Sequence, residues 1–306
     1  MAGRQGAKAV KFVVGIAGGI GLFSGAVIVS HPRENQHRER YFTMPTAFAA
    51  SLFSSSDKTS NYVNRNGVNN IPFVAWDYNW DRREPESLVH SETDGRITQE
   101  DRNEALKKVK PTATRHLFLI RHGHYFLDGV EDSQRKLTEK GCLQADFTGQ
   151  RLAELTFPFT VMYNSTMTRA RETADIIAKH LPEVPREECS MLREGAPIRP
   201  EPPVGHWKPD VKQFYEDGAR IEAAFRKYFH RADVDQESDS YDILVCHANV
   251  IRYFVCRAMQ FPPEAWLRMS LHHGSITWMS IRPSGRVSLR ALGDAGHIPP
   301  DKLSVS

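Results

Sequence analysis

The chain has 306 residues and a mass of 34.7 kDa, with 40% hydrophobic and 25% charged residues. That is ordinary globular usage and allows one large domain with extensions or two modest domains. A net charge of +3 gives no reason to expect nucleic acid as a partner. The four cysteines, Cys142, Cys189, Cys246 and Cys256, form no C-x-x-C pair and match no zinc spacing, so they are expected to be reduced and buried and not to build a disulfide scaffold.

From Phe12 to Val29 the chain reads FVVGIAGGIGLFSGAVIV, without a charge. At about 1.5 Å per residue such a helix just spans a bilayer core. Arg4, Lys8 and Lys11 precede it and the first acidic residue is Glu34. This basic, acid-free start and the lack of a clear A-x-A site fit mitochondrial targeting better than a cleaved secretory signal. Residues 1–30 are therefore read as an anchor and targeting segment. Gly15 and Gly19, like Gly21 and Gly25, have the spacing that lets membrane helices approach closely, although glycine is also simply common in such helices. Arg33, Arg38 and Arg40 follow the span as closely as the basic residues before it, so charge does not set its orientation.

Residues 31–112 are expected to be a linker, polar and without sustained period over its first half. Within it lies Trp76-Asp77-Tyr78-Asn79-Trp80-Asp81. So many aromatic residues left in water would make a sticky patch. They either fold back on the chain's own domain or anchor an interface with another subunit. The stretch from 90 to 112 is charged, with helical character around Glu104-Ala105-Leu106-Lys107-Lys108.

The catalytic domain is expected over 113–306. Arg115–Ile120 reads as a buried strand that stops at Arg121-His122-Gly123. Thr138 caps a helix to about Leu155. A second strand, Phe159–Tyr163, ends at Asn164-Ser165-Thr166-Met167-Thr168-Arg169, which opens a helix with Arg169 in its first turns. A helix follows from about Asp210 to His230. A third strand, Tyr241–Cys246, ends at His247, and a helix begins near Asn249. Ser275–Ile281 and Arg286–Leu292 form a hairpin about Pro283-Ser284-Gly285. Alternating strands and helices imply an α/β fold: three α/β/α layers around a mostly parallel central sheet. In a parallel sheet the polar residues at the ends of the three strands share one edge, where open sheets of this class bind ligands.

That edge would gather the residues phosphoryl transfer needs. Arg121 and Arg169 supply bidentate contacts to phosphate oxygens and His247 a further donor. A neutral ring nitrogen of His122 can attack phosphorus. Glu194, in Leu192-Arg193-Glu194-Gly195, can protonate the leaving oxygen and later activate water. The arginines do the electrostatic work, so no metal or other cofactor is required. Taken singly, any of the 13 histidines is more often a surface or core residue than a nucleophile. His122 and His124 have no neighbouring carboxylate or cysteine to complete a metal site. Asn164-Ser165-Thr166 is a formal glycosylation acceptor, expected to be unused because it lies within the site motif.

The ordered set R-H-G, S-x-M-x-R-A-x-E-T, L-R-E-G and C-H-A-N resembles the histidine phosphatase superfamily, whose founding members are phosphoglycerate mutases. Leu192–Ile198, His206–Pro209, Tyr215–Arg226 and His247–Tyr253 are similar to its mitochondrial serine/threonine protein phosphatase branch, over about residues 76–306. The resemblance implies a phosphohistidine on His122, a phosphate pocket of Arg121, Arg169 and His247, and a proton donor at Glu194. It implies phosphoprotein substrates, a single-pass mitochondrial membrane location (inner membrane favoured, outer possible), and roles in mitochondrial quality control and cell death. It also implies that Trp76, Asp77, Asn79, Trp80 and Asp81 drive assembly into a large activated homo-oligomer. Two departures matter. Asp128 stands where mutases usually carry Asn, and a carboxylate there disfavours a small polyanionic substrate. Ser91-Glu92-Thr93-Asp94-Gly95 replaces an E-S-G-E adaptor motif, so that partner does not transfer. A small-molecule phosphatase or mutase on the same fold, and a scaffold protein, remain as alternatives.

Overall fold

The computed structural model describes residues 75–92, 98–205 and 207–305. Among these, six strands form one sheet in the order β3-β2-β4-β1-β5-β6: β1 Arg115–Arg121, β2 Val161–Ser165, β3 Arg186–Cys189, β4 Ser240–Cys246, β5 Ile276–Ile281 and β6 Val287–Asp294. The pairs β3–β2, β2–β4 and β4–β1 are parallel, whereas β5 runs antiparallel to β1, and β6 to β5. The sheet is thus mixed but mostly parallel. The expected strands and hairpin are present. β3 was not expected; its Arg-Glu-Glu-Cys sequence is half exposed at the sheet edge and has no apolar run to announce it.

The helices are α1 Pro85–Glu92, α2 Gln99–Val109, α3 Glu139–Glu154, α4 Thr168–Ala178, α5 Val211–Tyr228 and α6 Ala248–Ala258. Thr138 caps α3 through its side chain, accepting from Gly141 N, and Asp210 caps α5 in the same way. Alternation along β1 divides the core in two. Leu117 and Leu119 face one side, with Ile221 and Phe225 of α5 and Ile251 and Phe254 of α6. Phe118 and Ile120 face the other, with Leu152 of α3 and Ala174 and Ile177 of α4. All of these are at most 1% exposed. Burial on both faces explains why β1 reads as an unbroken apolar run.

The described part of the expected linker contains the helices α1 and α2, and the aromatic segment sits on the chain's own domain. Trp80 is buried against Phe225 with ring centroids 6.0 Å apart, and its indole N–H donates to Gly285 O at 2.8 Å. Asp81 and Arg231 form an ion pair whose side chains are 0% and 1% exposed. Arg231 also donates to Tyr78 O, and Asp81 accepts from Arg231 N at 2.8 Å. Breaking a buried pair of this kind costs about 3–5 kcal/mol because the surviving charge is stranded. Cys189, Cys246 and Cys256 are buried as expected, but Cys142 lies on the outer face of α3 and is exposed. No described helix is long and apolar enough to cross a membrane; the expected anchor at 12–29 lies outside the described residues.

Candidate active site

The order β2-β4-β1 puts three parallel carboxyl ends side by side. β1 ends in Arg121, followed by His122, whose N–H donates to Cys246 O at 3.0 Å. β2 leads into α4, with Arg169 in its first turn. β4 ends at Cys246, and His247 is the N-cap of α6. Arg121, His122, Arg169 and His247 are each no more than 2% exposed. So many cationic or ionisable groups are buried together only where hydrogen bonds or an anion compensate them.

The hydrogen bonds assign the His122 tautomer. Nδ1 lies 2.8 Å from Gly123 O and can only donate to it. Nε2 accepts from Arg169 Nε at 3.2 Å. The proton therefore sits on Nδ1, and the Nε2 lone pair faces the guanidinium. Burial, followed by the neighbouring His247, Arg169 and Arg121, holds this imidazole well below its usual pKa. His247 is likewise depressed, chiefly by burial and then by Arg169. Its Nε2 meets Ser165 Oγ at 2.9 Å, while its Nδ1, like Arg169 Nη1, has no hydrogen-bond partner among the described residues. Buried polar atoms of this kind are ordinarily satisfied by a bound group or by water. Arg121 donates to Leu271 O and, at 2.9 Å, to His273 Nε2. Burial lowers its pKa to about 10, with Glu194 opposing the shift, so it stays charged at neutral pH.

Glu194 follows a short 3-10 turn, Ser190–Leu192, and its segment is clamped by α5. Arg220 donates to Met191 O at 3.0 Å, to Arg193 O and to Glu194 O at 3.0 Å, and pairs with Asp217 at 2.7 Å. Asp217 also accepts from Ala196 N at 3.0 Å, and Asn249 of α6 donates to Gly195 O at 3.2 Å. Although part of Glu194 remains open to solvent, burial of its carboxyl is the largest influence and raises its pKa; Arg169, the Gly195 amide and Arg121 oppose it. Such a carboxyl holds its proton to higher pH than a free one.

The cluster expected from the sequence is therefore assembled. Arg121, His122, Arg169 and His247 adjoin one another, and Glu194 is electrostatically coupled to both arginines. The aromatic segment is not part of it: Gly285, its partner, belongs to the β5–β6 turn at the opposite edge of the sheet. Asp128 is exposed, and the carboxylate that approaches the cationic cluster is Asp132, 3.7 Å from Arg169 Nη1 and accepting from Thr168 N at 3.0 Å. Asn164 is fully buried, which keeps the formal glycosylation acceptor out of reach. Among the described residues no group of three or more His, Cys, Asp or Glu is placed to hold a metal ion; His124 meets Thr138 Oγ1 at 2.9 Å instead.

Several site residues escaped the sequence reading. Tyr125 lies edge-on to His122 and under the Arg169 guanidinium, 4.6 Å from its ring centre. Thr173 accepts from Gly123 N at 3.0 Å and donates to Arg169 O at 2.7 Å. Arg252, nearly buried, feels Glu194. His273 precedes β5; because β5 is antiparallel, its beginning lies at the same edge as the end of β1. Polar residues before an antiparallel strand, here His272-His273, were the available signal.

The family description matching residues 117–294 is the histidine phosphatase superfamily (branch 1). The chain belongs to this superfamily. Among its relatives, it is 52% identical over 295 residues to the mouse protein named "Serine/threonine-protein phosphatase PGAM5, mitochondrial", covering 95% of this chain and 96% of that one. The human protein of the same name matches at the same identity and coverage. The Xenopus tropicalis protein of that name is 60% identical over 230 residues, covering 75% of this chain and 82% of that one. Among solved structures, a phosphoglycerate mutase from Plasmodium falciparum is 34% identical, covering 62% of this chain and 96% of that one, with a TM-score of 0.44.

Close packing at the His122 turn gives a mutational test. A Cβ on Gly141 would lie 1.9 Å from His124 O, and one on Gly123 would lie 2.4 Å from Gly141 O. Gly→Ala inside a helix ordinarily stabilises by about 1 kcal/mol. Gly141→Ala is expected to do the opposite, lowering the unfolding midpoint in urea and reducing turnover. A stabilised, fully active variant would show that α3 does not brace this turn.

Proposed function

We propose that this chain is a mitochondrial protein serine/threonine phosphatase working through a phosphohistidine on His122. The observation that carries the reading is the unprotonated His122 Nε2 held 3.2 Å from Arg169 Nε, with the His247 ring centred 5.0 Å from that of His122 and its Nδ1 without a hydrogen bond among the described residues. The relatives named as mitochondrial serine/threonine-protein phosphatases support the substrate class. In the first step, Nε2 attacks phosphorus and an N–P bond forms. The P–O bond to the serine or threonine breaks, and that oxygen takes the bond's electron pair and a proton from Glu194. In the second step, Glu194 accepts a proton from water as the water oxygen attacks phosphorus. The N–P bond breaks, releasing phosphate and restoring the Nε2 lone pair. Arg121, Arg169 and His247 bind the equatorial oxygens and offset their charge throughout, which needs no metal.

Self-association into a large ring belongs to the same proposal. Trp76, Asp77, Asn79, Trp80 and Asp81 form a discrete plug whose contacts, the Asp81–Arg231 pair above all, are equally available to the same segment of a neighbouring subunit. α5 offers a route from plug to site. Phe225 and Arg226 hold Trp80, and two turns earlier Arg220 and Asp217 hold the Glu194 segment. An anchor at residues 1–30 would fix the assembly to a mitochondrial membrane, where quality control and cell-death signalling are its proposed setting.

Turnover of phosphoserine and phosphothreonine peptides should exceed that of 3-phosphoglycerate by orders of magnitude. Inert peptides with a reactive sugar acid would instead favour a small-molecule phosphatase or mutase. The pH profile carries a second expectation. Protonating His122 removes its lone pair, and its depressed pKa places that acid limb of kcat/KM well below 6.5. Deprotonating Glu194 removes the acid, and its raised pKa moves that basic limb upward from the usual carboxylate range. Glu194→Gln should erase the basic limb and slow turnover about 10²–10⁴-fold; a basic limb surviving in this variant assigns the proton donor elsewhere. Trp80→Ala should lower both particle mass, by light scattering, and specific activity. An unchanged mass would separate the plug from assembly.

A further inference from the structure

Both flanks of His122 lead to one hydroxyl remote in sequence. On the Arg121 side, His273 bridges: its Nε2 accepts from Arg121 Nη2 at 2.9 Å, its Nδ1 lies 3.0 Å from Ser304 Oγ, and its backbone N–H donates to Ser304 O at 3.0 Å. On the other side, Gln144 of α3 bridges. Its Oε1 accepts from His124 N at 2.8 Å, and its Nε2 donates to Ser304 Oγ at 2.9 Å and to Lys302 O at 2.6 Å. His273 is 1% exposed and Gln144 is fully buried. Burial shields both side chains from solvent, so these contacts satisfy them.

The donor and acceptor pattern closes consistently. A guanidinium only donates, so His273 Nε2 accepts and the ring proton lies on Nδ1, directed at Ser304 Oγ. Gln144 Oε1 accepts from a backbone amide, so its Nε2 faces the same oxygen. Ser304 Oγ therefore accepts two hydrogen bonds, one from each flank. The approach to it is stiff: Pro299 and Pro300 fix the chain, and a 3-10 turn, Pro300–Lys302, leads in.

We propose that the segment 302–304 is a positioning element of the active site, in which the Ser304 hydroxyl ties Arg121, through His273, to the His122–His124 turn, through Gln144. Ser304 touches no reacting atom. It sets where Arg121 and the His122 ring stand relative to one another, and sub-ångström errors in such placement are costly: a displacement near 1 Å lowers rates about 100-fold. In its kinetic readout the inference rests on the phosphatase reading; in its binding readout it rests only on Arg121 holding an anion.

The test compares Ser304→Ala, Ser304→Thr and a chain ending at Leu303 with the full chain, using p-nitrophenyl phosphate for kinetics and inorganic phosphate for calorimetry. For Ser304→Ala, kcat should fall about tenfold, with KM and the phosphate Kd each rising about threefold. Ser304→Thr, which keeps the hydroxyl, should restore most of the loss, and the chain ending at Leu303 should lose about 100-fold in kcat. If that shortened chain fails to fold, the Ala and Thr pair still decides. A Ser304→Ala enzyme with unchanged kcat and phosphate Kd overturns the inference. So does equal impairment of the Ala and Thr variants, which would make the effect one of packing. If the full chain hydrolyses no phosphate ester, the phosphatase reading fails; the phosphate Kd of Ser304→Ala against the full chain then tests the positioning element alone.

Discussion

The contact between Arg169 and His122 sets the conditions for the rest of this sheet edge. A guanidinium 3.2 Å from an imidazole nitrogen forbids a proton there, because two donors cannot face each other so closely. Gly123 O fixes the other nitrogen as the donor. The ring is left neutral, with a fixed tautomer and its lone pair turned toward the cationic cluster. Burying that cluster is costly, and the surroundings meet the cost locally. Leu271 O and His273 take Arg121, while Asp132 sits near Arg169. Among the described residues, His247 Nδ1 and Arg169 Nη1 are left without a hydrogen bond, and the proposed mechanism gives both to the phosphate.

The fold serves this contact by geometry more than by affinity. Adjacent parallel strands bring Arg121, Ser165 and Cys246, with His247 after it, to one edge, so residues distant in sequence need only short side-chain reach to meet. Glu194 arrives differently, on an irregular segment without a strand of its own. It depends on Arg220 and Asp217 of α5 for its position. The same helix carries Phe225 and Arg226 under Trp80. A rigid helix that contacts both the aromatic segment and Glu194 is the route by which the proposed assembly would act on the proposed proton donor.

Much of this was legible in the sequence because its signals are local. The apolar run of β1 ends abruptly at Arg121, Thr138 and Asp210 announce their helices, and the motifs at His122, Arg169 and His247 each follow a strand. The family motifs then assigned expectations to His122, Arg169, Glu194 and His247. Less legible were contacts whose meaning depends on tertiary placement. β3 has no hydrophobic signature because it is an edge strand. His273 acquires significance only once β5 is known to be antiparallel. Arg220 and Asp217 look like any polar face of an amphipathic helix. Trp80 needs burial on its chemistry alone, but pattern does not choose between the chain's own domain, where it sits here, and a neighbour's.

The role of His122 is tested most directly by rapid acid-free quenching during turnover of a radiolabelled phosphoserine peptide, followed by mapping of the label. The mechanism proposed above predicts transient label on His122, stable to base and labile to acid, in the full chain and none in His122→Ala. Turnover without any labelled enzyme, or label that persists in His122→Ala, would contradict it.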